Sequence, residues 1–209
     1  NKVKLKKFNR YFLKFYKKKT IERIKLFYKK FDIKDKQNVI NKNNVPKLKN
    51  ILKMIDWKEL SLGTPVNFHG DLHFENILCN HKDKFTFLDW RQDFSGNKLY
   101  GDIYYDFAKL MHGMQISHNI IKKKGFKISI NKKRITYSFY HEKMNKILIK
   151  DFEKWIRLNG YNLKKIKILT SLIFLNIAPL HHYPYNVFLF KLGKLITFNS
   201  KNFEIIKKW

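Results

Sequence analysis

No stretch of this chain constrains it more than residues 69–89, HGDLHFENILCNHKDKFTFLD. It sets His69-Gly70-Asp71 at one end, Asn76 five residues after Asp71, and Asp89 followed by Trp90 at the other. Residues 74–80 and 85–89 read as short strands, with His81-Lys82-Asp83-Lys84 as the turn between them. If Asn80 pairs with Phe85 across that turn, Asn76 lies directly opposite Asp89. Opposed residues in an antiparallel pair have Cβ atoms roughly 4.5–5.5 Å apart. An amide oxygen and a carboxylate so placed can share one Mg²⁺, which takes oxygen ligands at about 2.0–2.1 Å. Asp71 falls just before the hairpin, on a loop, where it can face a substrate. These are the groups that phosphoryl transfer needs: a carboxylate to orient a hydroxyl, and oxygens to hold magnesium against phosphate. The expectation depends on register, since a slip of one residue would put Asn76 and Asp89 on opposite faces; the phosphotransfer reading would then fail and a non-catalytic basic module would come to the front.

The run His69-Gly70-Asp71-Leu72-His73-Phe74-Glu75-Asn76 resembles the protein-kinase catalytic loop H-R-D-L-x-x-x-N, with Gly in place of Arg. Asp89-Trp90 stands where those kinases carry D-F-G. This variant is similar to the aminoglycoside phosphotransferase and choline kinase family, small-molecule kinases with a protein-kinase-like fold. The resemblance implies Asp71 as catalytic base, Asn76 and Asp89 as Mg²⁺ ligands, and ATP (GTP in some relatives) as phosphoryl donor. Residues 101–108, GDIYYDFA, are similar to the family's G-D-x-x-x-D-[LF]-A segment. That likeness implies that Asp106 braces the catalytic loop, with His69 as a further support. His73, Asp93 and Trp90 are candidate substrate contacts. Arg91 departs from the pattern, because relatives commonly carry an acidic residue after Asp-Trp, and that residue's role is not carried over to it.

The resemblance is clear over residues 66–113. Residues 1–65 read as helices, with apolar residues at Phe8, Phe12 and Phe15 and again at Ile21, Ile24 and Phe31. Thr20 is the expected N-cap of the second helix, and Lys17-Lys18-Lys19 the solvated junction before it. Residues 32–45 read as a polar loop, and Pro46 opens a helix to about Trp57. Neither a G-x-G-x-x-G loop nor a V-A-I-K strand is present, and the first residue is Asn1. The expected fold class is therefore α+β, mainly α-helical: a protein-kinase-like C-terminal lobe with a catalytic β-hairpin, its N-terminal β lobe missing. Residues 1–209 are read as one domain, with a helical lead-in at 1–65, a catalytic core at 66–113, and a short hairpin plus helices at 114–209. Such a lobe can be inactive alone. A helix should start near Asp102 and bury Ile103, Phe107, Leu110 and Met111; a hairpin should turn at residues 131–133; helices should follow at 141–158, at 163–178 and after Pro184.

A net charge of +29 raises nucleic acid or an anionic membrane as a partner. Only 5 of the 45 basic residues are Arg, so the bidentate forks of specific phosphate and base readout are scarce, and no specific nucleic-acid partner is expected. The expected partners are a nucleotide and a small-molecule acceptor, choline-, sugar- or aminoglycoside-like; the charge argues against a polycationic one. The alternatives are a non-catalytic basic kinase-like module and, more remotely, a metallophosphoesterase built on Asp71, His73 and His81. Cys79 is the single cysteine, read as a small buried hydrophobe in a reducing compartment. With residues 168–180 too short to span a bilayer, a cytoplasmic location is expected.

Overall fold

A computed structural model describes residues 2–140 and 143–200. The chain is α+β, 54% helical and 16% strand. Helix α1 (Lys2–Leu13) and helix α2 (Lys19–Lys30) are joined through a π-helical turn, Lys14–Lys18, with no break between them. Thr20 is thus no N-cap: it lies fully buried inside α2. The extra residue of a π turn shifts the helix face, and here it turns Phe15 and Tyr16 together into the core.

Strands β1 (Asn38–Ile40) and β2 (Asn43–Val45) occupy what the sequence presents as a polar loop. The turn takes left-handed backbone at Asn41 and Lys42, and the Asn41 side chain ties it to Tyr137 by bonds of 3.1 and 2.8 Å. The Pro46 segment forms two short helices, α3 (Leu48–Lys53) and α4 (Trp57–Leu60). Asp56 splits them by accepting from the amides of Lys58 and Glu59, as an N-cap does. Next come β3 (Pro65–Val66), β4 (Ile77–Cys79), β5 (Phe85–Phe87) and β6 (Gly101–Asp102). Helices α5 (Ile103–Gln115) and α6 (His118–Lys122) lead to the hairpin of β7 (Phe126–Asn131) and β8 (Arg134–Phe139). Helices α7 (Lys143–Leu158), α8 (Leu163–Ile177) and α9 (Tyr185–Asn199) complete the order. One sheet runs β2-β1-β8-β7, and β3 with β6 and β4 with β5 form two-stranded ribbons.

Helix α8 is apolar nearly all round and is the centre of the core, against α5, α9 and α2. At Gly193 of α9 a Cβ would stand 2.9 Å from the Ser171 carbonyl oxygen, so glycine permits this close crossing. Asp102, fully buried, is the junction of four segments. Its carboxylate accepts from the amides of Thr64 (3.0 Å) and Tyr104 (3.2 Å) and from the Tyr16 hydroxyl (2.7 Å), and the Lys165 ammonium lies 3.4 Å away. It caps α5 and so sets where that helix points. Among the described residues no helix is long and apolar enough to cross a membrane.

Candidate active site

Gly70 begins the site. Its φ of +79° suits glycine, and an added Cβ would stand 2.7 Å from Arg91 Cβ and 2.8 Å from Phe68 Cε2. Two carboxylate bonds hold this turn. Asp106 accepts from the His69 amide at 2.9 Å and from the Gly70 amide at 2.6 Å, and Asp106 is itself buried. Burial pushes its carboxyl above the usual carboxylate range, and the two amide bonds oppose that push. The buried His69 ring accepts the Asp71 amide at Nδ1, 3.2 Å, and lies 4.9 Å from the ring of Trp90.

Lys109, one turn along α5 from Asp106, is also buried, and its ammonium meets Asp71 Oδ1 at 2.5 Å. Farther along the same stripe, a Cβ on Gly113 would be 3.1 Å from His73 Cβ. Residues 106, 109 and 113 share one helix face, and that face underlies residues 69–73. Asp71 is half-exposed, and burial raises its carboxyl. The His73 hydrogen bond and the Lys109 charge outweigh burial and hold it well below the usual carboxylate range. His73 carries the complementary shift: bonds to Asp71 and Glu75 raise it to about 9, against burial and Lys109. Its Nδ1 meets Glu75 Oε2 at 2.8 Å and its Nε2 lies 3.6 Å from Asp71 Oδ2.

Asn76 ends a 3₁₀ turn, Phe74–Asn76. Its Nδ2 donates to the Asp71 carbonyl oxygen at 3.0 Å and approaches His73 Nε2 at 3.3 Å. An imidazolium has no lone pair to accept with, so when His73 is charged the amide's hydrogen bond is the one to Asp71. That leaves Asn76 Oδ1 as the atom able to take a cation.

The hairpin register differs from the expected one. Cys79, not Asn80, pairs with Phe85, and Ile77 pairs with Phe87. Asn76 consequently faces Leu88, whose amide donates to the Asn76 carbonyl at 2.9 Å, and does not face Asp89. The cause is local: the 3₁₀ turn uses up residues 74–76 before the strand begins, and Asp83 takes left-handed backbone in the loop. This removes the argument that a strand ladder brings Asn76 and Asp89 together. Neither residue belongs to the ladder, however. Asp89 lies past the end of β5 with φ +55°, so strand alternation sets the direction of neither side chain. Aspartate enters the left-handed region more readily than most residues, and Asp89 does so where the chain leaves β5. The Arg91 amide donates to the His69 carbonyl at 2.8 Å, which stitches the segment after Asp89 to the loop before Asp71.

The remaining candidates are placed as follows. Asp93 accepts the Gly96 amide at 2.6 Å within its own turn. Trp90 is exposed and donates to the Phe87 carbonyl at 3.0 Å. Cys79 is exposed, contrary to the expectation of a buried thiol, because the hairpin projects from the core and leaves Leu78, Phe85 and Phe87 exposed as well. Lys109 gave no sequence signal, since a lone lysine in a helix reads as surface. His112 reads from the sequence as a capping or partly exposed residue at a helix end, but the structure buries it: its ring packs 4.7 Å from Phe174 with both nitrogens inaccessible, and burial holds it well below its usual range. Clefts of about 410 Å³ at Met54, Glu59 and Lys165 and about 490 Å³ at Lys25, Tyr28 and Trp57 include none of the loop residues.

Residues 28–121 match the model of the phosphotransferase enzyme family. This stretch of the chain is similar to that family. It covers just under half of the chain, from the end of α2 through β1, β2, the 69–76 loop and the hairpin to α6. No curated protein and no solved structure matches the chain. The family segment therefore contains Asp71, Asn76, Asp89, Asp106 and Lys109 together. Among the described residues no group of three or more His, Cys, Asp and Glu could hold a metal. A carboxylate and an amide oxygen are ligand types that Mg²⁺ accepts, the ion keeping waters and taking its other ligands from phosphate.

Proposed function

We propose that this chain carries the catalytic centre of a phosphotransferase that moves a phosphoryl group from ATP or GTP to a hydroxyl of a small molecule. The observation that carries this reading is the ionised, half-exposed Asp71, held from below by Lys109 and from the side by His73, inside the family segment. A carboxylate kept this acidic is a weak base. Its task is to orient the acceptor hydroxyl and take the proton as the bond to phosphorus forms. Asn76 Oδ1 and Asp89 are the residues that would hold Mg²⁺. Bound there, the ion would neutralise charge on the transferring phosphate. Asp106 holds the backbone that aims Asp71, and positioning of this kind supplies much of catalysis in phosphoryl transfer.

The competing reading is a non-catalytic basic module. The shifted hairpin register, taken alone, favours it, because the ladder no longer accounts for a metal site. The two readings part on turnover. Nucleotide-dependent phosphorylation of a hydroxyl compound, lost in Asp71→Asn, supports the first; turnover unchanged in Asp71→Asn, with steeply salt-dependent binding of nucleic acid, supports the second.

A further inference from the structure

Arg91, where the sequence departs from its family's pattern, has its Cβ and Cδ against Gly70, the neighbour of Asp71. Its guanidinium carbon lies 5.8 Å from the Phe15 ring centre, and its Nε is buried with no hydrogen-bond partner among the described residues. Lys19 Nζ stands 4.2 Å from the centre of that same ring. Phe94 stacks on the same ring at 4.0 Å, and Tyr105 and Tyr16 meet it at 4.9 and 6.0 Å, so Phe15 is an aromatic platform shared with the two cations. Arg23 follows Lys19 by one turn of α2, on the same side of the helix. Lys109 is already engaged with Asp71. Among the described residues, none of Arg91, Lys19 and Arg23 has a carboxylate within ion-pair distance.

Gathering three cations with no carboxylate at ion-pair distance is unfavourable. The strain registers on Lys19, which burial, and then Arg91, Arg23 and Lys109, lower to about 7, while Asp71 pulls the other way. An aromatic face offsets only part of this; an anion would offset the rest. A guanidinium is suited to bidentate contact with phosphate or carboxylate.

We infer that Arg91, Lys19 and Arg23 form an anion subsite beside Asp71, and that the acceptor hydroxyl belongs to a small molecule bearing a phosphate or carboxylate group. This rests on the phosphotransferase reading and narrows it away from cationic, choline-like or aminoglycoside-like acceptors.

The test is a calorimetric titration of the whole chain with inorganic phosphate at low ionic strength, without nucleotide or divalent cation. Wild type should bind one phosphate. Arg91→Met and Lys19→Met should each weaken binding at least tenfold, Arg91→Lys should weaken it less, and the exposed control Lys98→Met should leave it unchanged. In turnover, a phosphorylated acceptor should be preferred over its uncharged counterpart, glycerol 3-phosphate against glycerol being the first pair. Arg91→Met should raise the acceptor KM and spare the KM for ATP. Phosphate binding unaltered in Arg91→Met, equal use of both acceptors, or an effect on ATP instead of the acceptor would each overturn the subsite. Failure of the underlying reading shows elsewhere: Asp71→Asn would keep full turnover while the phosphate titration stayed as in wild type.

Discussion

Lys109 Nζ meets Asp71 Oδ1 at 2.5 Å from a position on α5 three residues beyond Asp106, the residue that holds the backbone just before Asp71. One helix face thus sets both the path of the loop and the direction of its carboxylate. Lysine is costly to bury, and the cost is offset here by a single short ion pair. Replacing Lys109 by Met should therefore leave a folded protein with a poorly aimed, less acidic Asp71. Turnover should fall by about 100-fold, a typical cost of losing one positioning contact at a reacting centre, and the acidic limb of the pH–rate profile should move to higher pH. A profile that keeps its wild-type shape and height would assign Lys109 to packing alone.

Asp106→Ala removes the acceptor for two buried amides, His69 and Gly70. Each unsatisfied buried donor costs about 1–3 kcal/mol, so urea unfolding should show a loss of roughly 2–6 kcal/mol. Asp106→Asn, which restores one acceptor oxygen but brings an amide against the other donor, should fall in between.

Gly70→Ala should destabilise through two causes at once: a left-handed φ of +79° and a Cβ pressed on Arg91 and Phe68. Strained backbone of this kind costs on the order of 1–3 kcal/mol. Because Phe68 is buried and Arg91 Cβ cannot swing aside as a side-chain tip can, activity should fall with stability. The melting temperature and kcat should therefore drop together.

Lys19 makes a pH prediction. Its ammonium sits among Arg91, Arg23 and Lys109, with Asp71 as the opposing charge, and is lowered to about 7 from an unfolded value near 10.5. Between those two values the unfolded chain binds more protons than the folded one, so stability due to this group rises as pH rises. Lys19→Met removes that rise. Denaturant melts from pH 7 to pH 10 should show a flatter dependence in the variant, which should also be the more stable protein at pH 7.

What the sequence conveys and what it withholds divide along physical lines. The helices α7, α8 and α9, the β7–β8 hairpin and the start of α5 at Asp102 follow from apolar periodicity and a capping carboxylate. Asp106, too, is reached from its motif, and its carboxylate lies on the 69–70 amides. Of the four residues expected to be buried on α5, only Met111 is; Tyr105, Ala108 and Lys109 take the inner face instead. The stripe is set by what underlies the loop, which periodicity cannot see. β1 and β2 give no local signal because β2 pairs on β1, and β1 is held by β8, about 95 residues away in sequence, and not by local propensity. The hairpin register was missed by one residue because nothing in FEN announces a 3₁₀ turn, and a slip of that size reverses every facing pair. Lys109 escaped because its partner is non-local: the residue type gives no hint of Asp71 until α5 and the loop are docked.

The most direct test of the central claim is transfer of labelled γ-phosphate from ATP to a panel of hydroxylated acceptors, by the wild type, Asp71→Asn and Asp89→Ala. The account predicts a labelled product from the wild type only when Mg²⁺ is supplied, its disappearance on chelation, and a loss of at least about a thousandfold in either variant, as expected when a catalytic carboxylate or the metal's anchor is removed. Full activity in Asp89→Ala, or turnover that ignores both magnesium and Asp71, would contradict it.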